Sequence, residues 1–169
     1  MTILGIDPGL ASLGWGIVQS EGGRLTHLAH GVLTTAPKSP PEERLLFLYN
    51  EISHLIELYH PEQAAVEKLY FMKNVTSGLP VAEVRGVLLL ALAQARLVVG
   101  QYDPTQIKSS VVGAGHADKG QVQEMVRLLL GLASIPKPDH AADALAVAVC
   151  HVHRVQVNSV LEKYAHGKR

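Results

Sequence analysis

The sequence predicts an α/β domain in which a five-stranded mixed sheet carries helices on both faces. Two observations predict it. Short apolar segments separated by turn signals follow one another over residues 3–35, which is typical of an antiparallel meander. After them, helical periodicity alternates with two further apolar segments, which is the pattern of a sheet covered by helices.

Tight turns separate the first three predicted strands. Residues 3–9, ILGIDPG, end in Asp-Pro-Gly, which favours a turn. Residues 21–23, Glu-Gly-Gly, join the next two apolar segments as a hairpin connection. We therefore expect strands over 3–9, 13–20 and 24–35.

The clearest helical pattern covers residues 40–60, where apolar side chains recur at three- and four-residue spacing after a Pro-Pro-Glu start. The later elements are predicted from length, polarity and flanking residues: a strand over 62–71, a helix over 79–96, a strand over 97–104, short helices near 104–111 and 119–131, and a closing helix from 139. The first strand should lie centrally, with the fourth strand parallel beside it.

Composition indicates a single globular domain. The chain has 169 residues, of which 47% are hydrophobic and 18% charged, so we expect one domain over 1–160 and a flexible tail over 161–169. The single cysteine, Cys150, favours a reducing cytoplasm, and residues 86–95 are too short an apolar window to span a membrane. The formal net charge of zero argues mildly against a nucleic-acid partner.

Four polar residues stand where the predicted fold would bring them together. Asp7 and Glu67 lie at the carboxyl ends of the first and fourth strands, where ligands of open α/β sheets collect. His140 and Asp143 lie three residues apart, on one face at the start of the closing helix. Taken singly, Asp7 fits turn chemistry and His140 fits a capping or core histidine. Together, they predict an oxygen-rich site for Mg²⁺ or Mn²⁺.

Four blocks of the sequence give a more specific signal. In chain order they are ILGIDPGLASLGWGIV, AAVEKLYFMKN, PTQIKSSVVGAGHADKGQV and DHAADALAVAV. Nearly the whole chain resembles the bacterial RuvC family, endonucleases of ribonuclease H-like fold that resolve four-way Holliday junctions in recombination and DNA repair. The resemblance implies paired, metal-dependent nicks in two opposing strands.

The resemblance also assigns residues to the metal site. The metal-binding acids of the family fall on Asp7, Glu67 and Asp143. His140 occupies the remaining catalytic position, where some members carry an aspartate, either as a ligand or as a proton carrier beside the metal. The resemblance implies two ions, Mg²⁺ or Mn²⁺, in each active site.

Further residues and partners follow from the same resemblance. Tyr70 matches an aromatic that stacks on unpaired bases near the crossover, and Phe71, Lys73 and Asn74 share its loop. Lys108 and Lys119 match a basic pair next to the junction, although either could be a solvated surface lysine. The helix over 79–96 is apolar nearly all round, which favours a homodimer but would also fit a central helix. The implied partners are four-way junction DNA and the RuvA and RuvB branch-migration complex.

Three other functions remain open at this point. A YqgF-like nuclease of the same fold would act in ribosomal RNA maturation, although KNVTSG and DHAAD speak against it. Sugar kinases, Hsp70 and actin open with a similar hairpin, but they need a second lobe for which this chain has no room. A binding module without catalysis is disfavoured because Asp7, Glu67 and Asp143 are all present.

Overall fold

The computed structural model describes residues 1–69 and 75–166, without the side chains of 75–77, 165 and 166. In chain order, the elements are β1 (Thr2–Asp7), β2 (Ser12–Glu21), β3 (Arg24–Thr34), α1 (Pro41–Tyr59), β4 (Gln63–Glu67), α2 (Val75–Gln94), β5 (Val98–Tyr102), α3 (Pro104–Val112), α4 (Lys119–Leu129) and α5 (Asp139–His166).

The five strands form one mixed sheet in the order β3-β2-β1-β4-β5. Strands β1, β2 and β3 pair antiparallel, whereas β4 pairs parallel with β1 and β5 pairs parallel with β4. The predicted meander, the central first strand and the parallel fourth strand are thereby confirmed. The sheet places the carboxyl ends of β1, β4 and β5 at one edge, which is the edge where we expected the site.

The core consists of two apolar clusters, one on each face of the sheet. Leu4 and Ile6 of β1 pack with residues of α1 and α2, whereas Ile3 packs with residues of α3, α4 and α5. Strands buried on both faces are typical of sheets covered by helices on both sides. By length and composition, α5 could cross a membrane, but Ala141, Ala142 and Ala144 to Val152 are buried in the core.

Two glycines allow α5 to lie directly on the sheet. A Cβ atom at Gly5 would overlap the backbone oxygen of Ala144, and one at Gly14 would overlap that of His140. Glycine is therefore required on β1 and β2 where the helix crosses them. This close approach brings the first turn of α5 to the strand end that carries Asp7.

Several predicted boundaries were wrong. Helix α2 begins at Val75, one turn before the predicted start at residue 79. Pro80 therefore lies inside the helix and not in its first turn. The helix ends at Gln94, and Arg96 has a positive φ of 57°. Strand β4 ends at Glu67, and residues 70 and 71 of its predicted range lie outside the described residues. Helix α5 continues to His166, past residue 160. The domain over 1–160 and the flexible tail over 161–169 stay predictions.

Candidate metal centre

The four predicted acid and imidazole side chains lie at the same edge of the sheet. Ile6 and Val66 are neighbours in the parallel ladder between β1 and β4, so the next residues, Asp7 and Glu67, leave adjacent strands side by side. His140 and Asp143 lie in the first turns of α5. This part of the helix packs directly on β2 because Gly14 has no side chain there. The pairing of β1 with β4 and the close packing of α5 on β2 together bring the four side chains to one place.

Three of these residues form a tight group. Asp7, His140 and Asp143 each offer a ligand atom, and the three atoms lie within 4.8 Å of one another. The Nδ1 atom of His140 lies 2.7 Å from Oδ2 of Asp7, which is a hydrogen-bond distance. The side chain of Asp7 is only 16% exposed and that of His140 is 49% exposed, so the group opens to solvent on the histidine side.

Glu67 lies beside this group and not inside it. It lines one cavity together with Asp143 and a second cavity together with Asp7. No residue of 1–69 or 75–166 donates a hydrogen bond to its carboxylate. Burial, together with the negative charges of Asp7 and Asp143, raises the pKa of Glu67 to about 7, and Lys108 and Lys119 oppose the rise.

Burial also raises the pKa of Asp7, against the lowering effect of its hydrogen bond to His140. When the neighbouring carboxyl groups of Asp7 and Glu67 are both ionised, their negative charges repel each other in a partly buried site. A divalent cation would remove that repulsion, and carboxylate oxygens with one imidazole nitrogen are donors that such cations accept. The residues therefore fit a divalent metal bound by Asp7, His140 and Asp143, with Glu67 alongside.

Two lysines border the acids. Lys108 and Lys119 line the cavity of about 260 Å³ that also contains Glu67 and Asp143. Lys119 lies at the start of α4, where Asp118 and Gln121 form a capping box. Its Nζ donates to Oδ2 of Asp143 at 3.0 Å. Cations at this place reduce the repulsion among the carboxylates and give the site basic groups for a phosphate.

An outer ion-pair chain extends from Lys119 and was not predicted from the sequence. Nζ of Lys119 also lies 3.3 Å from Asp139, whose other oxygen lies 3.1 Å from Nζ of Lys137. Asp139 is thus separate from the metal-binding group of Asp7, His140 and Asp143. The Lys-Pro-Asp spacing of 137–139 is the local sequence signal, but the bond to Lys119 depends on tertiary packing.

Four predicted DNA contacts, Tyr70, Phe71, Lys73 and Asn74, lie outside the described residues. The described backbone resumes at Val75 in α2. Their predicted roles stay predictions.

Removal of the Glu67 charge should stabilise the metal-free protein at high pH. Below about pH 4.5 this carboxyl is protonated in both the folded and the unfolded chain, whereas above about pH 7 folding must bury a charge. The stability contributed by the neutral form is therefore lost as the pH rises from about 4.5 to 7. A pKa difference of this size corresponds to about 3 kcal/mol.

We expect Glu67→Gln to raise the free energy of unfolding by about 2–3 kcal/mol at about pH 8 in a metal chelator, and to change it little at about pH 4. Urea unfolding at both pH values measures this difference. Glu57→Gln, at an exposed position of α1, is the matched control. Equal stability of wild type and Glu67→Gln at the higher pH would contradict the inferred repulsion.

Known proteins match the chain along nearly its whole length. Residues 3–151 match the family model described as crossover junction endodeoxyribonuclease RuvC. The curated enzyme of that name from Chloroflexus aggregans is 56% identical over 153 residues, covering 90% of this chain and 93% of that protein. The one from Desulfitobacterium hafniense is 50% identical over 157 residues, covering 93% and 95%.

Solved structures agree with the sequence matches. The structure of Thermus thermophilus RuvC superposes with a TM-score of 0.88 at 35% identity, over 94% of this chain and 97% of that chain. The same protein in complex with Holliday junction substrate has a TM-score of 0.85 at 33% identity, over 93% and 96%. These matches confirm the predicted ribonuclease H-like fold, and the chain belongs to the RuvC family of crossover junction endodeoxyribonucleases.

Proposed function

We propose that this protein is a structure-selective endonuclease that resolves four-way Holliday junctions in homologous recombination and DNA repair. The observation that carries the proposal is the convergence of Asp7, His140 and Asp143 within 4.8 Å, with Glu67 beside them, at the open edge of the sheet. A structural neighbour at 33% identity was solved with Holliday junction substrate, which supports the choice of DNA substrate.

The metal assignment rests on the chemistry of the four side chains. Asp7, Glu67, His140 and Asp143 would hold two ions, Mg²⁺ or Mn²⁺, since Asp7 lines a cavity with Glu67 and also offers a ligand atom to the group of His140 and Asp143. Bound ions of this kind polarise a phosphodiester and activate water. The protein fixes the positions of these ligand atoms, and Lys108 and Lys119, which line the cavity of Glu67 and Asp143, would lie beside the reacting phosphate.

DNA binding is assigned to basic and aromatic residues around the acids. Basic side chains outnumber acidic ones between residues 68 and 119, so local charge can hold phosphates although the whole chain is neutral. Lys108 and Lys119 border the metal-binding side chains. Tyr70 would stack on an unpaired base, which is worth about 1–3 kcal/mol per base, and Phe71, Lys73 and Asn74 would complete that loop.

A homodimer is the proposed assembly. Helix α2 leaves Leu79 and Leu90 each 55% exposed, and Glu83 and Gly86 lie on the same exposed side. A surface of this kind is covered in an oligomer more readily than in a monomer. Two sites related by a dyad suit the two-fold symmetry of a four-way junction. We further propose a cytoplasmic location and RuvA and RuvB as the partner complex.

The YqgF-like alternative can be separated by substrate. We expect the purified protein with Mn²⁺ to nick a synthetic four-way DNA junction while leaving a linear duplex and a structured RNA of equal length intact. Gel analysis of end-labelled strands measures all three substrates in one experiment. Preferential cleavage of the RNA would contradict junction resolution and favour a role in ribosomal RNA maturation.

A further inference from the structure

A third cavity opens at the same edge of the sheet, on the other side of Asp7 from Lys108. Strand β3 ends there at Thr34, and Arg44 reaches it from the first turn of α1. The cavity has a volume of about 260 Å³. Its lining residues are Thr34, Thr35, Ala36, Ser39, Glu43, Arg44 and Phe47.

The guanidinium of Arg44 is held in a fixed orientation. Its Nε donates to Oγ1 of Thr35 at 2.8 Å, and that hydroxyl donates to the backbone oxygen of Leu10 at 2.6 Å. Thr35 is only 4% exposed, and its backbone nitrogen donates to the oxygen of Ala11 at 3.2 Å. Arg44 is therefore tied to the turn that follows Asp7.

The remaining donors of Arg44 are available to a ligand. Within residues 1–69 and 75–166, Nε is the one side-chain nitrogen of Arg44 with a hydrogen-bond acceptor. The two terminal nitrogens provide the planar pair of donors that matches a phosphate. The hydroxyls of Thr34 and Ser39 line the same cavity, and the ring of Phe47, 40% exposed, forms an apolar wall.

The sheet register relates this cavity to the metal centre. Asp7 pairs with Gly14 across β1 and β2, and Gly14 pairs with Val32 across β2 and β3. Two strand spacings of about 4.8 Å separate Asp7 from Val32, and the first lining residue, Thr34, lies two residues of about 3.4 Å further along β3, so the cavity begins roughly 12 Å from Asp7. The axial rise of DNA is about 3.4 Å per nucleotide of one strand, and consecutive phosphates lie farther apart than this because the backbone winds around the axis, so this distance corresponds to at most about three nucleotides.

We propose that the Arg44 cavity is a binding subsite for a DNA backbone phosphate within about three nucleotides of the phosphate at the metal centre. This inference rests on the proposed function. It extends the DNA path along the sheet edge, from Lys108 and Lys119 on the β5 side, past Asp7, to Arg44 on the β3 side. Glu43 also lines the cavity, and its charge opposes the phosphate.

Junction binding as a function of salt tests the subsite. We expect Arg44→Gln to weaken binding of a four-way junction about 3–10-fold at about 0.1 M KCl, and to lower the slope of log affinity against log salt by about 0.9, the value for one phosphate contact. Glu43→Gln should change affinity in the opposite direction, tightening binding about 2-fold. Fluorescence anisotropy in a metal chelator measures both quantities without cleavage.

Matched controls lie at the opposite edge of the same sheet. Arg24→Gln and Glu21→Gln, at the strand ends that flank the turn between β2 and β3, should leave affinity and salt slope unchanged. Because Arg44 also braces Thr35, Ser39→Asp provides a second test that keeps the Arg44–Thr35 bond and still weakens binding. Replacing single phosphates by neutral methylphosphonates should reveal one position at which wild type loses affinity and Arg44→Gln loses none.

The possible outcomes are distinguishable. Equal salt slopes for wild type and Arg44→Gln, or unchanged binding by Ser39→Asp, would overturn the subsite while leaving junction resolution intact. Wild-type protein that binds a four-way junction no better than a duplex would overturn the proposed function itself, and the subsite with it.

Discussion

Asp143→Asn should lose junction cleavage by about a thousandfold or more while still binding the junction. Asp143 offers a ligand atom within 4.8 Å of those of Asp7 and His140, and the amide that replaces its carboxylate is a weaker, uncharged ligand. Metal ions contribute several kcal/mol of transition-state charge stabilisation, and each 1.4 kcal/mol changes a rate about tenfold. Asp7→Asn and Glu67→Gln should behave in the same way.

Asp139→Asn is the matched control, since it makes the same chemical change on the same helix. Asp139 contacts Lys119 and Lys137 and lies outside the metal-binding group, so its replacement should alter the cleavage rate only a few-fold, in line with an exposed ion pair. Single-turnover cleavage and chelator-stabilised binding separate the two effects. Cleavage by Asp143→Asn at the wild-type rate would exclude Asp143 from the metal centre.

The second large effect is expected at His140. His140→Ala removes a nitrogen that lies next to Asp7 and should raise the metal concentration needed for half-maximal cleavage by about 10–100-fold, the range typical of groups that support a metal site. His140→Asp should retain cleavage and shift the preference from Mn²⁺ toward Mg²⁺, because oxygen donors suit the harder ion.

Metal titrations of the single-turnover rate, with Mn²⁺ and with Mg²⁺, measure this preference for wild type and both variants. His54→Ala, at an exposed position of α1, controls for the loss of an imidazole elsewhere. Metal titrations of His140→Ala that coincide with those of wild type would mean that the histidine is only a residue of the first turn of α5 and does not contribute to metal binding.

The fold and the acid positions could be predicted because both depend on local patterns. Alternating apolar strands and an amphipathic helix set the order of elements, and a carboxylate directly after a buried strand, as at Asp7 and Glu67, marks the ligand edge of the sheet. The spacing of His140 and Asp143 on one helix face added these two residues, and the resemblance to the RuvC family added the lysines. Among the described residues, the structure brings Asp7, Glu67, His140, Asp143, Lys108 and Lys119 to one edge of the sheet.

Features that depend on tertiary packing were not predictable in the same way. Val75 to Gly78 are poor helix formers, so the early start of α2 was missed. The contact between Lys119 and Asp139 joins α4 to α5, and the contact between Arg44 and Thr35 joins α1 to the end of β3. Neither contact could be predicted from the spacing of its two residues in the sequence. The raised pKa of Glu67 likewise follows from burial near two other carboxylates.

Cleavage of a supercoiled plasmid that extrudes a cruciform tests the central claim most directly. Paired metal centres in a dimer should cut two opposing strands in one encounter, so linear plasmid should form directly with Mn²⁺ and should be absent with a chelator or with Asp143→Asn. Accumulation of nicked circles alone would contradict paired resolution, and linear product from Asp143→Asn would contradict the metal centre.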